Sequence, residues 1–334
     1  MKGSPTMADV ARLAGVSVSA VSLVVRGKPG VGDETRARVL DAMRELGYQP
    51  LKPASGPSQV IALLVERLPF PELADQYYAE IVGGAAEEAQ RLGCHLALRV
   101  WDDGAHEADL LADAAGGELA GILVGGGVVM PVSSLRALRE TGVPLVLLDT
   151  VADLPGVHCV GPDNVHAAML ATRHLLDLGH RRIAFLPGPD SYPALRERKH
   201  GYLAAMAGAG LLPSPEYMPE AARGRRKGYS QMLDLLALPA ERRPTAVVAV
   251  SDRAAVGALE ALREMGVSVP EGMAVVGIDG IRAGQDASPA LTTVNVPKRE
   301  MGISAVRLMQ TLLIGSGMPP GRYLLPCSLV VRNT

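Results

Sequence analysis

The chain has 334 residues, of which 48% are hydrophobic and 20% charged, and its formal net charge is −2. This composition is typical of folded globular proteins and excludes a disordered or collagen-like chain. The sequence contains no apolar run of membrane-spanning length and no signal peptide after Met1, so we expect a cytoplasmic protein with more than one domain. Its three cysteines are odd in number and far apart, which indicates neither a disulfide framework nor a metal site.

Charge is distributed unevenly between the N-terminal segment and the rest of the chain. Residues 1–58 contain eight Lys or Arg and five Asp or Glu, a net charge of +3, whereas the remainder carries −5. A basic head on an acidic body is the distribution expected when a small nucleic-acid-binding domain precedes a larger domain. The asymmetry is modest and does not decide the function by itself.

The segment from Thr6 to Gly27 has the pattern of two short helices joined by a glycine turn. Apolar residues recur at helical spacing in 10–14 and again in 20–25. Between these runs, Gly15 can adopt the positive φ of a tight turn, and Ser17 can cap the next helix. Such a unit is either a helix-turn-helix, whose second helix fits the DNA major groove, or an ordinary helical hairpin.

A third helix is predicted between Val31 and Gly47, with Val39, Met43 and Leu46 on one face. Together the three helices closely resemble the DNA-binding head of the LacI/GalR family of bacterial transcription regulators. The motifs that carry the resemblance are Asp9-Val10-Ala11, Ala14-Gly15-Val16-Ser17, Val21-Ser22, Thr35-Arg36-x-Arg38-Val39 and Leu46-Gly47-Tyr48-x-Pro50.

Residues 49–59 are predicted to be a linker, because three prolines and one glycine fall within 49–58. In the LacI/GalR family this segment usually forms a short hinge helix on the operator, from which a leucine enters the minor groove. Here Pro53 and Pro57 disfavour a helix, so we expect an extended tether. Leu51 is then the one apolar side chain of the linker long enough to act as a minor-groove wedge.

From Val60 onward, short apolar runs alternate with amphipathic segments. The first round predicts strands and helices in turn at 60–65, 77–92, 95–100, 107–115, 121–124, 133–141 and 145–149. A second round, which begins near Val160, predicts elements at 164–178, 180–186, 195–209, 228–236, 246–250, 252–264 and 274–278. The last part of the chain predicts further elements at 291–295, 297–313 and 325–332. Strict alternation predicts doubly wound parallel sheets, and two similar halves predict two lobes separated by a cleft.

The resemblance to LacI/GalR regulators continues through this body. Its motifs include Tyr77-Tyr-Ala-Glu-Ile81, Pro144-x-x-x-x-Asp149, Asp163-Asn164, Leu178-Gly-His-Arg-Arg-Ile-Ala184, Arg198-x-x-Gly201-Tyr202, Ser251-Asp252, Val275-Val-Gly-Ile-Asp279, Pro289-x-Leu-Thr-Thr293 and Leu329-Val-Val-Arg332. The resemblance implies a periplasmic-binding-protein-like body that dimerises and binds a small effector between its lobes. It divides the chain into a head at 1–48, the linker, and a body at 60–334. The lobes should interleave, with 60–160 plus 291–322 in lobe one and 161–290 plus 323–334 in lobe two.

The resemblance also implies which head residues contact DNA. Val18, Ser19 and Leu23 match base-contacting positions, whereas hydroxyl and basic residues nearby match phosphate contacts. Simple packing is the alternative for Val18 and Leu23. We expect Val18 to face the groove because other valines fill the inner face, while Leu23 departs from the arginine common in the family. The candidates for DNA binding are Thr6, Ser17, Val18, Ser19, Ser22, Leu23, Arg26, Thr35 and Arg36.

Effector-binding candidates lie at predicted strand ends and on the helices beside them. Asp149 and Asp279 end strands, where ligands bind in open α/β sheets, and Arg198 offers a fork of donors for hydroxyls or a carboxylate. Tyr77 and Tyr78 match aromatic pocket positions of the family. The alternative for a strand-end aspartate is helix capping, which we prefer for Asp252, Asp163 and Asn164.

Two further pocket positions depart from the family. Ser251 stands where asparagine is usual, and Arg223 stands where an aromatic residue is common. A second arginine indicates either an anionic effector, such as a sugar phosphate or sugar acid, or a solvated residue at the rim. The effector-binding candidates are therefore Tyr77, Tyr78, Asp149, Arg198, Arg223, Ser251 and Asp279.

No motif for catalysis, a metal or a cofactor is present. Gly125-Gly126-Gly127 lacks the spacing of a dinucleotide loop, and the sequence has neither a Walker lysine nor a nucleophile elbow. The sequence thus predicts a homodimeric, effector-responsive transcription regulator, most simply a repressor, that binds a pseudo-palindromic operator and a sugar-like metabolite. The alternatives are a solute-binding protein and an α/β enzyme with an unrelated helical head.

Overall fold

The computed structural model divides the chain into two compact units, Met1–Pro57 and Ser58–Thr334. The residues that it describes are 6–25, 30–46, 48, 59–66, 76–101, 106–125, 130–152, 154–220, 227–315 and 317–334. The predicted linker, apart from Gln59, therefore lies outside the described residues. None of the helices described is long and apolar enough to cross a bilayer.

The N-terminal unit is a three-helix head made of α1 (Met7–Ala14), α2 (Val18–Val25) and α3 (Asp33–Leu46). Val10, Val21 and Val39, one from each helix, are fully buried against one another and form its small core. The turn between α1 and α2 has the predicted chemistry. Gly15 adopts a φ of 65°, and the backbone N–H of Ala20 donates to Ser17 Oγ at 3.1 Å, which caps α2.

The first lobe of the body is built on a six-stranded parallel sheet. Its strands in the order of the sheet are β10 (Arg322–Leu325), β5 (His158–Pro162), β4 (Leu145–Leu148), β3 (Gly121–Gly125), β1 (Val60–Glu66) and β2 (His95–Trp101). Its helices are α4 (Gln76–Arg91), α5 (Glu107–Ala115), α6 (Val132–Glu140) and α12 (Lys298–Leu313). The central strands β3 and β4 are buried along their whole length, as continuous apolar runs predict.

The second lobe is built on a five-stranded sheet. Its strands in order are β11 (Ser328–Val330), β9 (Thr292–Asn295), β8 (Ala274–Asp279), β7 (Ala246–Ala249) and β6 (Ile183–Leu186). Its helices are α7 (Asn164–Asp177), α8 (Pro193–Gly208), α9 (Lys227–Leu236), α10 (Asp252–Glu264) and the short α11 (Arg282–Gln285). All strands are parallel except β11, which pairs antiparallel with β9.

The two sheets have the same plan. Strands β1, β3, β4, β5 and β10 of lobe one occupy the same order as β6, β7, β8, β9 and β11 of lobe two, whose described part has no counterpart of β2. Consequently β4 and β8 are equivalent strands, and α4 and α8, the helices that follow the first strand of each lobe, are equivalent helices. This equivalence fixes where the candidate residues meet.

The interleaving of the lobes differs in detail from the prediction. Residues 291–296 were expected in lobe one, but β9 pairs with β8 and so belongs to lobe two. Residues 323–325 were expected in lobe two, but β10 pairs with β5 and belongs to lobe one. A short apolar run fits either sheet, and its partner strand decides which it joins. The chain thus crosses between the lobes after β5, after β9 and after β10.

Helix α12, which follows the crossing after β9, packs closely against α4 of lobe one. It crosses α4 so closely that a Cβ at Gly84 would overlap the carbonyl oxygen of Arg299, and one at Gly302 would overlap that of Ile81. The first residue of α12, Lys298, therefore lies beside the N-terminal turn of α4, which carries Tyr77.

Candidate effector-binding site

Two aspartates mark the carboxyl ends of equivalent strands. Asp149 follows β4 with a φ of 61°, and Asp279 ends β8 with a φ of 142°. Among the described residues other than glycine, these two alone have positive φ. An L-residue in such a conformation costs on the order of 1–3 kcal/mol, and such residues concentrate at functional sites. The backbone thus independently points to the positions that the sequence predicts for ligand contact.

The lobe-two side of the cleft is built around the buried guanidinium of Arg198, which is 3% exposed. Its Nη1 donates to Asp279 Oδ1 and to the Val250 carbonyl oxygen, both at 2.8 Å, and its Nε donates to Asn164 Oδ1 at 2.9 Å. Burial alone lowers the pKa of Arg198, but the acidic groups around it, Asp279 above all and then Tyr77 and Asp149, together more than reverse this and the pKa is raised. Arg198 is therefore a buried positive charge whose counter-ion, Asp279, is already in place.

Lys298 supports this side from the other lobe. Its buried Nζ donates to the carbonyl oxygens of Asp279 at 2.8 Å and Gly280 at 3.3 Å, and lies 3.7 Å from Glu80 Oε1. These bonds hold the strand-end peptide in the conformation that directs the Asp279 carboxylate at Arg198. Sequence reasoning missed Lys298, and its place directly after Pro297 gives no signal, because its role depends on packing between the lobes.

The lobe-one side consists of Asp149 and the aromatic start of α4. Tyr77 donates its hydroxyl to Asp149 Oδ1 at 3.1 Å, and its ring meets that of Tyr78 edge-to-face with centroids 5.3 Å apart. Burial raises the pKa of Asp149 to about 7, while the positive charge of Arg198 lowers it. Asp149 of lobe one lines the same pocket as Asn164 of lobe two, which bonds Arg198, so the two sides face each other across one cleft. The cleft thus brings Tyr77, Asp149, Arg198 and Asp279 together.

Two polar residues near the cleft, Ser251 and Asp252, have structural roles at the start of α10. Ser251, predicted to contact the effector, is the N-cap of α10, where the N–H of Ala254 donates to its Oγ at 3.3 Å. Asp252 is therefore not the cap. Its carboxylate instead accepts from the Ile281 N–H at 2.9 Å and from Thr293 Oγ1 at 2.5 Å, and burial raises the pKa of Asp252 to about 6.

The predicted cap at the start of α7 is correct for one residue and wrong for its neighbour. Asp163 accepts from the N–H of His166 at 2.9 Å and caps the helix. Asn164 is the first helical residue and is not the cap. Because Asp163 already caps the helix, the Asn164 side chain is free to turn inward, where its Oδ1 accepts from Arg198. The expected contact Arg223 lies outside the described residues.

The head presents much of its predicted DNA-contacting set to solvent. Ser17, Val18 and Ser19 are exposed at the start of α2, and Val18 is 48% exposed despite being apolar. Leu23 is half-buried, as are Thr35 and Arg36. Thr6 caps α1 through a reciprocal pair of bonds with Asp9. The remaining candidates, the Ser22 side chain and Arg26, lie outside the described residues.

Comparison with known proteins agrees over both units. Residues 6–50 match the bacterial regulatory proteins of the lacI family, and residues 172–334 match the periplasmic binding protein-like domain. The repressor CytR of Escherichia coli K12 is 32% identical over 343 residues, covering 98% of this chain and 96% of the relative. The regulator CelR of Thermobifida fusca is 33% identical, covering 99% and 98%.

Solved structures agree as well. A CelR–cellobiose complex superposes with a TM-score of 0.75 at 32% identity, covering 98% of this chain and 99% of that one. The lac repressor dimer bound to operator and an anti-inducer gives 0.74 at 27% identity, covering 99% of both chains. These relatives are transcription regulators and not enzymes, which confirms the resemblance and excludes the enzyme alternative. The chain belongs to the LacI family of bacterial transcription regulators.

Proposed function

We propose that this protein is a repressor that binds a pseudo-palindromic operator as a homodimer and a small polyhydroxylated effector in its cleft. The relatives support each part: CytR is a repressor, the lac repressor binds operator as a dimer, and CelR forms a complex with cellobiose. Operator binding would put the protein in the cytoplasm. Residues 1–48 would be the DNA-binding domain, 49–59 the linker and 60–334 the effector-binding and dimerisation domain.

The observation that carries the effector proposal is the pairing of Asp149 and Arg198–Asp279 across the cleft. Carboxylate oxygens accept from hydroxyls, a guanidinium donates to them, and the Tyr77 and Tyr78 rings suit the apolar face of a sugar. Within the described part of the cleft, the cations Arg198 and Lys298 already have partners. This pairing supports an uncharged effector over the anionic one that Arg223 suggested.

The effector proposal is tested by thermal-shift screening against neutral sugars including cellobiose, nucleosides, nucleobases and sugar phosphates. A ligand that binds the folded state raises the melting temperature by mass action. Calorimetry on the best ligand should then show that Arg198→Ala weakens binding by about 2–4 kcal/mol, because buried acceptors lose their donor. Arg196→Ala, on the exposed side of the same helix, is the matched control. An unchanged dissociation constant in a folded Arg198→Ala variant contradicts the assignment.

The DNA-binding proposal is tested by selection from random DNA. We expect a symmetric site whose affinity falls steeply with salt, and half-sites rich in thymine, because Val18 and Leu23 offer methyl groups to the thymine C5-methyl. Val18→Ser should change the selected half-site without unfolding the head. Leu13→Ser, which alters an equally exposed apolar residue of α1, should leave it unchanged. Selection that returns no symmetric site contradicts the proposal.

The linker proposal is that residues 51–58 form an extended tether on the operator. A proline within a helix costs about 3 kcal/mol, more than a two-turn helix regains. Without paired wedges in the minor groove, the operator should bend less than one that carries a central kink. Gel phasing measures the bend, and a strong central kink would contradict the tether.

A further inference from the structure

Glu197, the neighbour of Arg198 in the sequence, forms an ion pair with a residue of the opposite lobe, Arg322. Glu197 lies on α8 of lobe two, and Arg322 begins β10 of lobe one. Arg322 Nη1 lies 2.6 Å from Glu197 Oε1, and its Nη2 donates to Oε2 at 2.7 Å, so the pair is bidentate. The side chains are 17% and 41% exposed, which places the pair at the edge of the cleft rather than in open solvent.

The buried side-chain amide of Asn164 connects this ion pair to Arg198. Asn164 Oδ1 accepts from Arg198 Nε at 2.9 Å, and its Nδ2 donates to Glu197 Oε2 at 3.2 Å. Asn164 is 4% exposed, so neither bond is easily replaced by water. A change in the position of the Arg198 guanidinium therefore changes the orientation of the amide that supports Glu197.

The ion pair also stands where the lobes separate. Arg322 is in the strand that precedes the last crossing between lobes, and the pocket around the pair is lined by Asp149, Cys159 and Asn164. Because α8 and β10 belong to different lobes, a rotation of the lobes about their crossings would move one relative to the other and change the Glu197–Arg322 distance.

We propose that Glu197 and Arg322 form an inter-lobe latch, held in register by Asn164 and released through Arg198. A bidentate guanidinium–carboxylate pair has strict geometry, so it favours one lobe arrangement over others. A ligand that draws Arg198 toward itself leaves the Asn164 oxygen unpaired and weakens the support of Glu197. The release through Arg198 rests on the proposed function, whereas the latch itself does not.

Cys159 provides a native probe for the latch. Its half-buried thiol lines the same pocket, whereas Cys94, also half-buried, lies beside Gln310 elsewhere in lobe one. In the ligand-free, full-length protein, the rate of reaction of each thiol with the uncharged reagent N-ethylmaleimide can be followed by peptide mass spectrometry. Glu197→Gln and Arg322→Gln should each accelerate Cys159 modification by about fivefold, the order of factor that a partly exposed ion pair contributes. Cys94 should keep its rate.

Charge effects on the thiol are distinguishable from opening of the lobes. Burial raises the pKa of Cys159, the Arg322 guanidinium lowers it and the Glu197 carboxylate raises it, so removing one charge or the other changes thiolate reactivity in opposite directions. Opening accelerates the reaction in both variants. Rates that change in opposite directions, or that do not change, overturn the latch. Glu216→Gln breaks a glutamate–arginine pair that lies wholly within lobe two and should have no effect.

Two further variants complete the test. The exchanged pair E197R/R322E should restore the slow Cys159 rate, and the two single variants decide the proposal alone if the exchanged pair does not fold. Asn164→Ala should accelerate Cys159 less than Glu197→Gln, because the ion pair remains without its support. All these rates are measured without effector or operator. A failure to find either would therefore contradict the proposed function and leave the latch standing.

Discussion

The two sides of the effector cleft start from the same structural position and reach different chemistry. Asp149 and Asp279 end equivalent strands, both with positive φ. On the lobe-two side, the equivalent helix presents Arg198, and the aspartate forms a buried ion pair. On the lobe-one side, the helix presents Tyr77, and the aspartate accepts a phenolic hydrogen bond. The helix partner, and not the strand end, decides whether the carboxyl group faces a guanidinium or a phenolic hydroxyl.

One side of the cleft is therefore assembled in advance, whereas the charge of the other side depends on pH. The Arg198–Asp279 side is assembled in advance by bonds to Val250, Asn164 and Lys298, so it needs no ligand to keep its shape. The Tyr77–Asp149 side carries a carboxyl whose pKa burial raises to about 7, so its charge is decided near neutral pH. We expect substitutions on the first side to act mainly on stability and those on the second to act mainly on pH dependence.

The largest effect is expected from Arg198→Met. It leaves the Asp279 carboxylate buried without its counter-ion, so the free energy of unfolding at pH 7 should fall by about 3 kcal/mol in urea denaturation. Arg196→Met removes an exposed guanidinium from the same helix and should cost less than about 0.5 kcal/mol. The double variant R198M/D279N should recover part of the loss. A loss below about 1 kcal/mol for Arg198→Met would mean that the side is not built around this ion pair.

An effect of opposite sign is expected from Asp149→Asn. The raised pKa means that the folded protein binds the carboxyl proton more tightly than the unfolded chain, whose pKa stays near 3.8. The resulting stability is fully present below about pH 4 and is lost as the pH rises through about 7. Asparagine mimics the protonated acid and tolerates the left-handed backbone. The variant should therefore be close to the wild type in stability at pH 4 and exceed it by at least about 2 kcal/mol at pH 8.

Asp279→Asn is the matched contrast, because it alters the equivalent position of the other lobe. It should destabilise the protein at pH 8, since Arg198 then loses its counter-ion. Urea denaturation at pH 8 separates the two variants, because the expected changes in the free energy of unfolding have opposite signs. If Asp279→Asn stabilises the protein at pH 8, as Asp149→Asn is expected to do, the difference between the two sides of the cleft is not real.

The smallest effect is expected from Tyr77→Phe. Loss of one hydrogen bond should cost about 1 kcal/mol, and the pKa of Asp149 should rise further, because the tyrosine hydroxyl lowers it. Carbon-13 NMR of labelled aspartate measures this shift. Tyr78→Phe alters the neighbouring ring while leaving the Tyr77–Asp149 bond in place, so the Asp149 titration should not move. An Asp149 titration that does not move in Tyr77→Phe would show that the bond is not formed in solution.

The regular elements were predictable because their signals are local. Helices 107–115 and 252–264 have the predicted bounds, and most other elements differ by one or two residues. The run at 291–296 could not be assigned to its sheet, because the partner strand β8 lies elsewhere in the sequence. The sequence predicts Asp252 as the cap of α10, whereas Ser251, one residue earlier, performs that role, because both side chains can accept from a backbone N–H at a helix start.

The candidate site residues that lie at strand ends or match family motifs could be predicted from the sequence. Those that bond across the two lobes could not. Asp149, Arg198 and Asp279 follow buried strands or match family positions, and the structure brings them into one cleft. Lys298 and the Glu197–Arg322 pair carry no such signal. Their partners come from the other lobe, so a polar residue on a helix surface looks the same in sequence whether it bonds across a cleft or faces water.

The three crossings between the lobes also set the order in which the protein can fold as the ribosome makes it. Residues 163–295 supply all of lobe two except β11, whereas lobe one needs both 59–162 and the late segment that contains α12 and β10. During synthesis, the earlier part of lobe one emerges first but must wait, with the surfaces of α4 and β5 uncovered, until nearly the whole chain has been translated. The lobe whose synthesis begins first therefore cannot complete its sheet until β10 has been translated, long after residues 163–295 of lobe two have emerged.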